Sequence, residues 1–528
     1  MSDAIEVVWF KRDLRTTDHA PLARAAEAGP CLGLYVYEDS LLASPEFSPA
    51  HLDFINQALD ELETRLGALG GHLLRVRGEV VDILDRIHDG PGIATLWSHE
   101  ETGNAITYRR DRAVARWAEK TGVTWMELPN HGVFRRLRDR DGWSRRWARR
   151  MAEPLTATPV RLTPATEDAW QRLTSRLPPP GPLTPDDLGW SREQTPWQSG
   201  GEGHANDVLN DFLATRGRAY SGGMSSPVTA FDACSRLSPH LAWGTLSMRT
   251  IVQATRDRRA AIKAAGKRDG WGKSLSAFAQ RLRWHCHFMQ KLEDEPELEF
   301  RNLSRIYDGL REDDWNEDHF QAWANGQTGY PMVDACMRAL LHGGWINFRM
   351  RAMLVSFASY HLWLHWPRTA QHLGRLFLDF EPGIHYPQVQ MQSGTTGINT
   401  VRIYSPSKQV LDQDPTGVFI RQWCPELSGV PDEFLAQPET MSRAQQEASG
   451  CVIGRDYPAP IVEHTSAYRQ ARQRIYAVRR TAQARSEAEA VYDKHGSRRR
   501  PSAAGRGAVA TRTGTARAGK AQPRPGKT

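Results

Sequence analysis

The chain has 528 residues, 40% of them apolar and 9% aromatic, which is enough for two or three packed domains and excludes an unfolded chain or a small disulfide scaffold. Its opening, MSDAIEVVWF, lacks a basic stretch followed by an apolar one, and the longest apolar run is broken by arginines, so neither export nor a membrane span is expected and a cytoplasmic location follows. The net charge of +7 is unevenly placed: residues 495–528 hold nine Lys/Arg and no Asp/Glu, leaving the other 494 residues at −2.

The first segment alternates strands and helices. Residues 5–10 (IEVVWF) and 31–37 (CLGLYVY) read as buried strands, with helical stretches near 50–69 and 107–121; His72–Val76, Thr95–Trp97 and Val123–Trp125 continue the alternation. That order predicts a parallel, Rossmann-like α/β domain over 1–133. Residues 134–202 contain RRLRDRDGWSRRWARR and RLPPPGPLTPDDLGW, which read as a charged stretch and a proline-rich linker rather than a core. Helical periodicity dominates from 203 and sets a second domain over 203–494. No repeat of fixed period is present. The tail, 495–528, is poor in apolar residues and expected to be disordered, serving either as a phosphate-binding tether for nucleic acid or as a solubilising extension.

Within the helical half, TGYPMVDACMRALLHGGWINFRMRAMLVSF (328–357) poses a physical problem. Pro331 opens a helix carrying Val333, Met337, Leu340 and Leu341, and Gly343-Gly344 ends it; from Trp345 a second apolar helix is expected through Phe357, interrupted by Arg349 and Arg351. Two residues apart, these cations point about 200° apart around the helix axis. Either both stems snorkel to water, or one pairs with a distant carboxylate beside a polar ligand.

The histidines and cysteines point away from a metal. His361 and His365 stand four apart without the glutamate of a zinc-protease helix, His240, His285 and His287 show no ligand spacing, and the six cysteines include no CxxC pair. Reduced thiols are expected, with Cys286 as packing.

Four segments in the same order over residues 4–480 resemble the photolyase/cryptochrome family. VVWFKRDLRTTDHAPL, with Trp9, Phe10, Arg12, Asp13, Leu14, Arg15 and Asp18, is similar to its opening strand and loop; CSRLSPHLAWGTLS (234–247) to its flavin-phosphate loop; TGYPMVDA with the GW before the arginine helix to its flavin-domain segment; RIYSPSKQ (402–409) to its closing element. The resemblance implies an all-helical FAD-binding domain after the α/β domain, light-driven repair of UV-damaged DNA by electron transfer from reduced flavin, and a monomer. It places Arg351 against the isoalloxazine ring, paired with Asp379, while Arg349 makes structural contacts. Tyr220, Ser235, Arg236, Leu237 and Ser238 are implied at the phosphates and ribityl chain, with Glu381 near the cofactor. Taken alone, the SRLS segment also reads as a helix N-cap.

Several positions depart from the family's pattern. Trp284, in FAQRLRWHCHF, stands where the lesion is stacked, but Arg281 occupies the usual dimer-binding glutamate position, and Phe348 and Ala352 occupy the asparagine and methionine positions. The histidine pair of animal-type (6-4) photolyases is absent there too. The segment 379–394 is about two residues short, with Pro387 and Val389 at two tryptophan positions. The residue facing flavin N5 is therefore Gly383, Ile384 or His385, and the electron-transfer chain keeps Trp366 and Trp315, with Trp363, Trp345 or Tyr386 to bridge the gap. Glu101, in SHEETGN, is the candidate contact for a second, antenna chromophore of folate or flavin type. A receptor that binds FAD without repair is the alternative function.

Overall fold

The computed structural model describes residues 4–266 and 269–496. Five parallel strands, β1 (Ile5–Phe10), β2 (Cys31–Tyr37), β3 (His72–Arg77), β4 (Ile93–His99) and β5 (Thr124–Leu128), form one sheet in the order β3-β2-β1-β4-β5. Helices α1 (Ala20–Ala28), α2 (Pro49–Ala68), α3 (Val80–Asp89) and α4 (Ala105–Thr121) supply the crossovers. The centre strand β1 is buried along its whole length, and the two-residue period of a strand divides it: Ile5, Val7 and Trp9 enter one core, Val8 and Phe10 the other.

The interdomain segment differs from the expectation of a charged connection without a core. Residues Trp143–Ala152 form α5, whose Trp143, Trp147 and Met151 recur every four residues and are buried with Leu209, Phe212 and Leu282 of the helical domain. The arginines between them had masked the stripe: they sit on its outer face, as in any amphipathic helix.

The helical domain is built around α6 (Trp271–Asp294), α7 (Pro331–Gly343), α8 (Phe348–Ser356), α9 (Trp366–Leu376) and α10 (Pro382–Ser393). Helix α7 starts at Pro331 as expected, held by a buried carboxylate: Asp334 accepts from the Thr328 amide (2.8 Å) and hydroxyl (2.6 Å), the Gly329 amide (3.0 Å) and the Tyr457 hydroxyl (2.6 Å). The second helix begins at Phe348, not Trp345, because Asn347 takes extended backbone and serves as its N-cap residue. The basic-tail expectation falls almost wholly on residues 497–528, outside the described residues. Among the described residues no helix is long and apolar enough to cross a membrane.

The two domains meet through one close backbone approach. Gly244 has φ +68°, and a Cβ there would lie 2.0 Å from the Arg12 carbonyl oxygen. Gly122 shares a left-handed conformation, φ +75°, but opens on empty space. Gly122→Ala is therefore expected to cost only backbone strain, about 1 kcal/mol, whereas Gly244→Ala adds a clash with main chain and lowers stability by about 2–4 kcal/mol. Denaturant midpoints of the two variants check the ordering; equal losses would remove the argument.

Candidate flavin site and its interdomain clamp

The opening problem of the arginine helix resolves on α8. Arg351 Nη1 and Nη2 donate to Asp379 Oδ1 and Oδ2, each at 2.9 Å, and its Nε donates to the Ile346 carbonyl at 2.8 Å. The guanidinium lies 4.0 Å from the centre of the Phe377 ring. The Asp379 side chain is 4% exposed and that of Arg351 21%, so the pair is dry on the acid's side and reaches an opening on the cation's. Arg349, on the opposite side of the helix, is half-buried and its Nε has no partner among the described residues.

A second guanidinium approaches the same segment from the α/β domain. Arg12 Nε donates to the Ala242 carbonyl at 2.8 Å, Nη2 donates to the Phe380 carbonyl, and Nη1 stands 3.9 Å from Glu381 Oε2, while the cation lies 4.7 Å from the Trp243 ring centre. Trp243 Nε1 in turn donates to the Leu378 carbonyl at 2.9 Å. Sequence reasoning named Arg12 only as a motif residue and missed this clamp; no local signal marks a partner 368 positions away. Glu381 is buried and accepts from the Gly383 amide at 3.3 Å; burial pushes its carboxyl up to about 7, against the pull of Arg12.

The residues implied for the cofactor's phosphate side gather nearby. Arg236 adopts φ +56°, lies 4.4 Å from the Phe231 ring, and turns its carbonyl to Gln198 Nε2 at 2.6 Å. Ser235 Oγ accepts weakly from the Leu237 amide at 3.5 Å, and Ser238 opens the short helix Ser238–Ala242. Tyr220 is buried against Phe212 and Phe278, and burial raises its phenol to about 12 although the Arg281 side chain bonds to it. Across these segments Arg236 Nε, Asn347 Oδ1, Arg349 Nε, His285 Nδ1 and Gln409 Oε1 are buried without partners among the described residues. Buried polar atoms are normally satisfied, so this set fits a polar ligand with phosphate and amide groups, as FAD has.

At the mouth, Trp284 is 46% exposed and Phe348 51%, while Ala352 is buried. The Arg281 guanidinium lies 5.2 Å from the Trp284 ring centre. On α10, Gly383 packs against α6, a Cβ there meeting Met289 Cα at 2.7 Å, and Pro387 leaves the Gly383 carbonyl without its helical donor. His385 is turned to the Ala370 carbonyl at 2.8 Å and is held neutral by burial, its imidazole lowered to about 4; Ile384 is half-buried.

The aromatic residues separate into two groups. Trp366 is fully buried, donates to Asn302 Oδ1 at 2.8 Å and meets Tyr386 edge-on at 6.4 Å. Trp315 donates to Glu317 and lies under Arg368, a residue of the Trp366 helix. Trp363 has its ring between Arg311 and Arg474, 4.5 and 4.9 Å away, and Trp345 sits 6.1 Å from Phe231. Tyr386 donates to Glu46 at 2.5 Å.

Asp13, His19 and His99 are the described cluster with donor atoms close enough for a metal. Their bonding defines another role. His19 Nδ1 accepts from the Leu22 amide at 3.1 Å, so its Nε2 carries the proton and donates to Asp13 Oδ2 at 3.0 Å, where His99 Nδ1 also arrives at 2.7 Å. The adjoining crevice at the strand ends has a volume of about 20 Å³, and Glu101 on its wall is held by Arg110 at 2.6 Å.

A parallel α/β domain clamped onto a helical domain whose buried polar atoms include several without partners fits a two-domain protein that binds a polar cofactor. Comparison with known families narrows this. Residues 6–142 match the DNA photolyase family and residues 278–477 the FAD binding domain of DNA photolyase. The deoxyribodipyrimidine photo-lyase of Alkalihalophilus pseudofirmus is 27% identical, covering 89% of this chain and 97% of that one. The class III photolyase from Agrobacterium tumefaciens is 26% identical with TM-score 0.74, covering 90% and 98%; the Synechocystis sp. PCC6803 cryptochrome is 23% identical with TM-score 0.78, covering 89% and 99%. The chain belongs to the photolyase/cryptochrome family and carries its FAD-binding domain.

Arg351→Ala leaves Asp379 buried without its cation, and with the arginine one-fifth exposed the loss of stability is expected at about 2–3 kcal/mol, with FAD lost on gel filtration; Arg351→Ala/Asp379→Ala recovers part of the stability. Unchanged FAD retention in the single variant would remove Arg351 from the site. Glu381 favours its protonated form when folded, so its contribution falls as pH rises from the ordinary glutamate range through about 7. The stability advantage of Glu381→Gln over the parent apoprotein should therefore grow between about pH 5 and about pH 8, by up to about 3 kcal/mol. A constant difference across that range would contradict the buried-acid assignment.

Proposed function

We propose that the protein is a light-driven, FAD-dependent DNA photolyase that repairs UV-induced pyrimidine dimers. The observation that carries this reading is the exposed Trp284 ring, held under Arg281 on the helix bordering the cofactor cavity: a large apolar ring left in water is a standing invitation to a stacking base. When bound and reduced, FAD supplies the light-driven electron that opens the dimer and recovers it.

The chain's own residues do the rest. Trp284 stacks the flipped bases. Arg351, fixed by Asp379, keeps a cation beside the ring and favours negative charge there, while Asp379 prevents that cation from turning to the lesion. Tyr220, Ser235, Arg236, Leu237 and Ser238 hold the phosphates and ribityl chain, and Glu381, close to neutral at pH 7, adds little charge next to them. Trp366 and Trp315 carry electrons inward from the surface. Tyr386 bridges to them in place of the missing tryptophans, because it meets Trp366 and has Glu46 ready to take its phenolic proton. Trp363, held between two arginines, is a side member of the chain. A folate or flavin antenna does not fit the strand-end crevice, since ring ligands need roughly 300 Å³ or more. The protein acts as a cytoplasmic monomer, in keeping with its six free cysteines.

A second reading, a blue-light receptor that binds FAD without repair, follows from the resemblance, by which Arg281, Phe348 and Ala352 stand at the positions of the family's lesion contacts. The test is repair of oligonucleotides carrying a single cyclobutane or (6-4) lesion, with anaerobically photoreduced protein under blue light. Restored pyrimidines support the photolyase. Intact lesions of both kinds, with reduced FAD bound, support the receptor. In the first case Trp284→Ala should weaken binding of the lesion-bearing strand by about 10–100-fold, the worth of one or two stacked bases, and leave FAD bound.

A further inference from the structure

The arginine run of the interdomain segment takes no part in the flavin chemistry, yet it forms a concave site. A cavity of about 520 Å³, within the range of ligand sites, is walled by Arg135, Arg136, Arg138, Arg146 and Arg150. Two of the five are occupied: Arg135 pairs with Glu127 at 2.8 Å, and Arg150 donates to the His131 and Val133 carbonyls while lying over Phe134. The side chains of Arg136, Arg138 and Arg146 are exposed, with no hydrogen bond or ion pair to any described residue. The acids on the wall are Glu100 and Asp139, and one Asp139 oxygen is taken by the Asp141 amide at 2.7 Å. Arg136 is held at φ +55°, a backbone state that a non-glycine residue keeps only where its surroundings impose it.

The helix that contributes Arg146 to the site is bonded to the helix that carries the exposed tryptophan. Arg283, the residue before Trp284, donates to Ser144 Oγ at 3.4 Å, and Ser144 lies two residues from Arg146 on α5; Trp143 of the same helix packs on His287 at 5.8 Å. A strand stacked on Trp284 therefore passes toward free guanidiniums that fit phosphodiester oxygens in both charge and fork geometry. We propose that the cavity lined by Arg136, Arg138 and Arg146 binds the phosphate backbone of the DNA strand that continues beyond the lesion, a positioning site separate from the flavin cavity. The identity of the strand as DNA rests on the photolyase reading.

The test is fluorescence anisotropy of full-length, FAD-loaded protein with labelled 20-mers, undamaged and dimer-bearing, across a KCl series, for the parent, for Arg136→Gln/Arg138→Gln/Arg146→Gln, and for Trp284→Ala. The three glutamines are on exposed positions, and the basic tail is common to all proteins, so the difference isolates the cavity. Each phosphate contact contributes about 0.7–0.9 to the slope of log affinity against log salt, so the triple variant is expected to lose about 2–3 units of slope. Its preference for the damaged strand should stay the same, and Trp284→Ala should show the reverse. An unchanged slope in the triple variant overturns the proposal. So does inorganic pyrophosphate bound at the cavity and not displaced by DNA. A parent without preference for damage, but with a slope that the triple variant reduces, removes the repair reading and leaves this site standing.

Discussion

The short segment Leu378–Glu381 is held from both domains at once, and the rest of the site depends on that. Arg351 comes from α8 to Asp379, and Arg12 comes from the end of the central strand to the Phe380 carbonyl and toward Glu381; Trp243 fixes the Leu378 carbonyl between them. Hydrogen bonds to charged donors are worth about 1.5–3 kcal/mol each, so the clamp outweighs the cost of ordering four residues between helices. Its consequence is functional as well as structural. The segment that carries Asp379 is held by a residue of the α/β domain, so the domain interface and the Arg351–Asp379 pair, the candidate flavin contact, share one support.

The interface buries several titratable groups, and burial moves most of them toward their neutral forms. Asp13 serves two histidines that burial keeps neutral, His99 down to about 3, and the tautomer of His19 is set by the amide of Leu22. His285, lowered to about 4, faces Arg12 and Asp379 without adding charge beside them. Glu299, which accepts from the Ala105 amide across the interface at 2.7 Å, is raised to about 7 by burial, and Glu381 is poised near 7 as well, its partner standing at 3.9 Å rather than at contact distance. Burial and a distant cation oppose each other there, and burial has the larger effect.

What could be read from the sequence follows from the range of the forces involved. Strand alternation is a two-residue signal, so the sheet was legible to within a few residues, as were the helices near 50–69 and 107–121 and the start of α7 at Pro331, whereas the shorter crossovers α1 and α3 were not read. The beginning of α8 was not, because the N-cap role of Asn347 depends on backbone geometry that the apolar pattern of Trp345 and Ile346 conceals. Helix α5 was hidden by its own surface: ten residues with four arginines read as linker until Trp143, Trp147 and Met151 are counted along one face. The family resemblance named Arg351 and Asp379 together, which periodicity alone left as one of two readings. Arg12's partners, the Tyr386–Glu46 bond and the arginine cavity are long-range juxtapositions with no local signature.

The replacement of an acid by Arg281 at the mouth has a consistent electrostatic meaning. The Arg281 guanidinium lies 5.2 Å from the Trp284 ring centre, so the cation is held over the exposed ring rather than loose on the surface. A carboxylate in that place would accept hydrogen bonds from neutral pyrimidine edges and repel the phosphates flanking them. A guanidinium does the opposite, donating to carbonyl oxygens and attracting phosphate. With Phe348 exposed and Ala352 small, the mouth offers apolar surface and positive charge in place of a set of polar fingers. On the photolyase reading proposed above, such a face would select its ligand by stacking and by backbone charge more than by hydrogen bonds to base edges. The helix that carries Arg281 and Trp284 is tied through Arg283 and Ser144 to α5, the helix that supplies Arg146 to the arginine cavity.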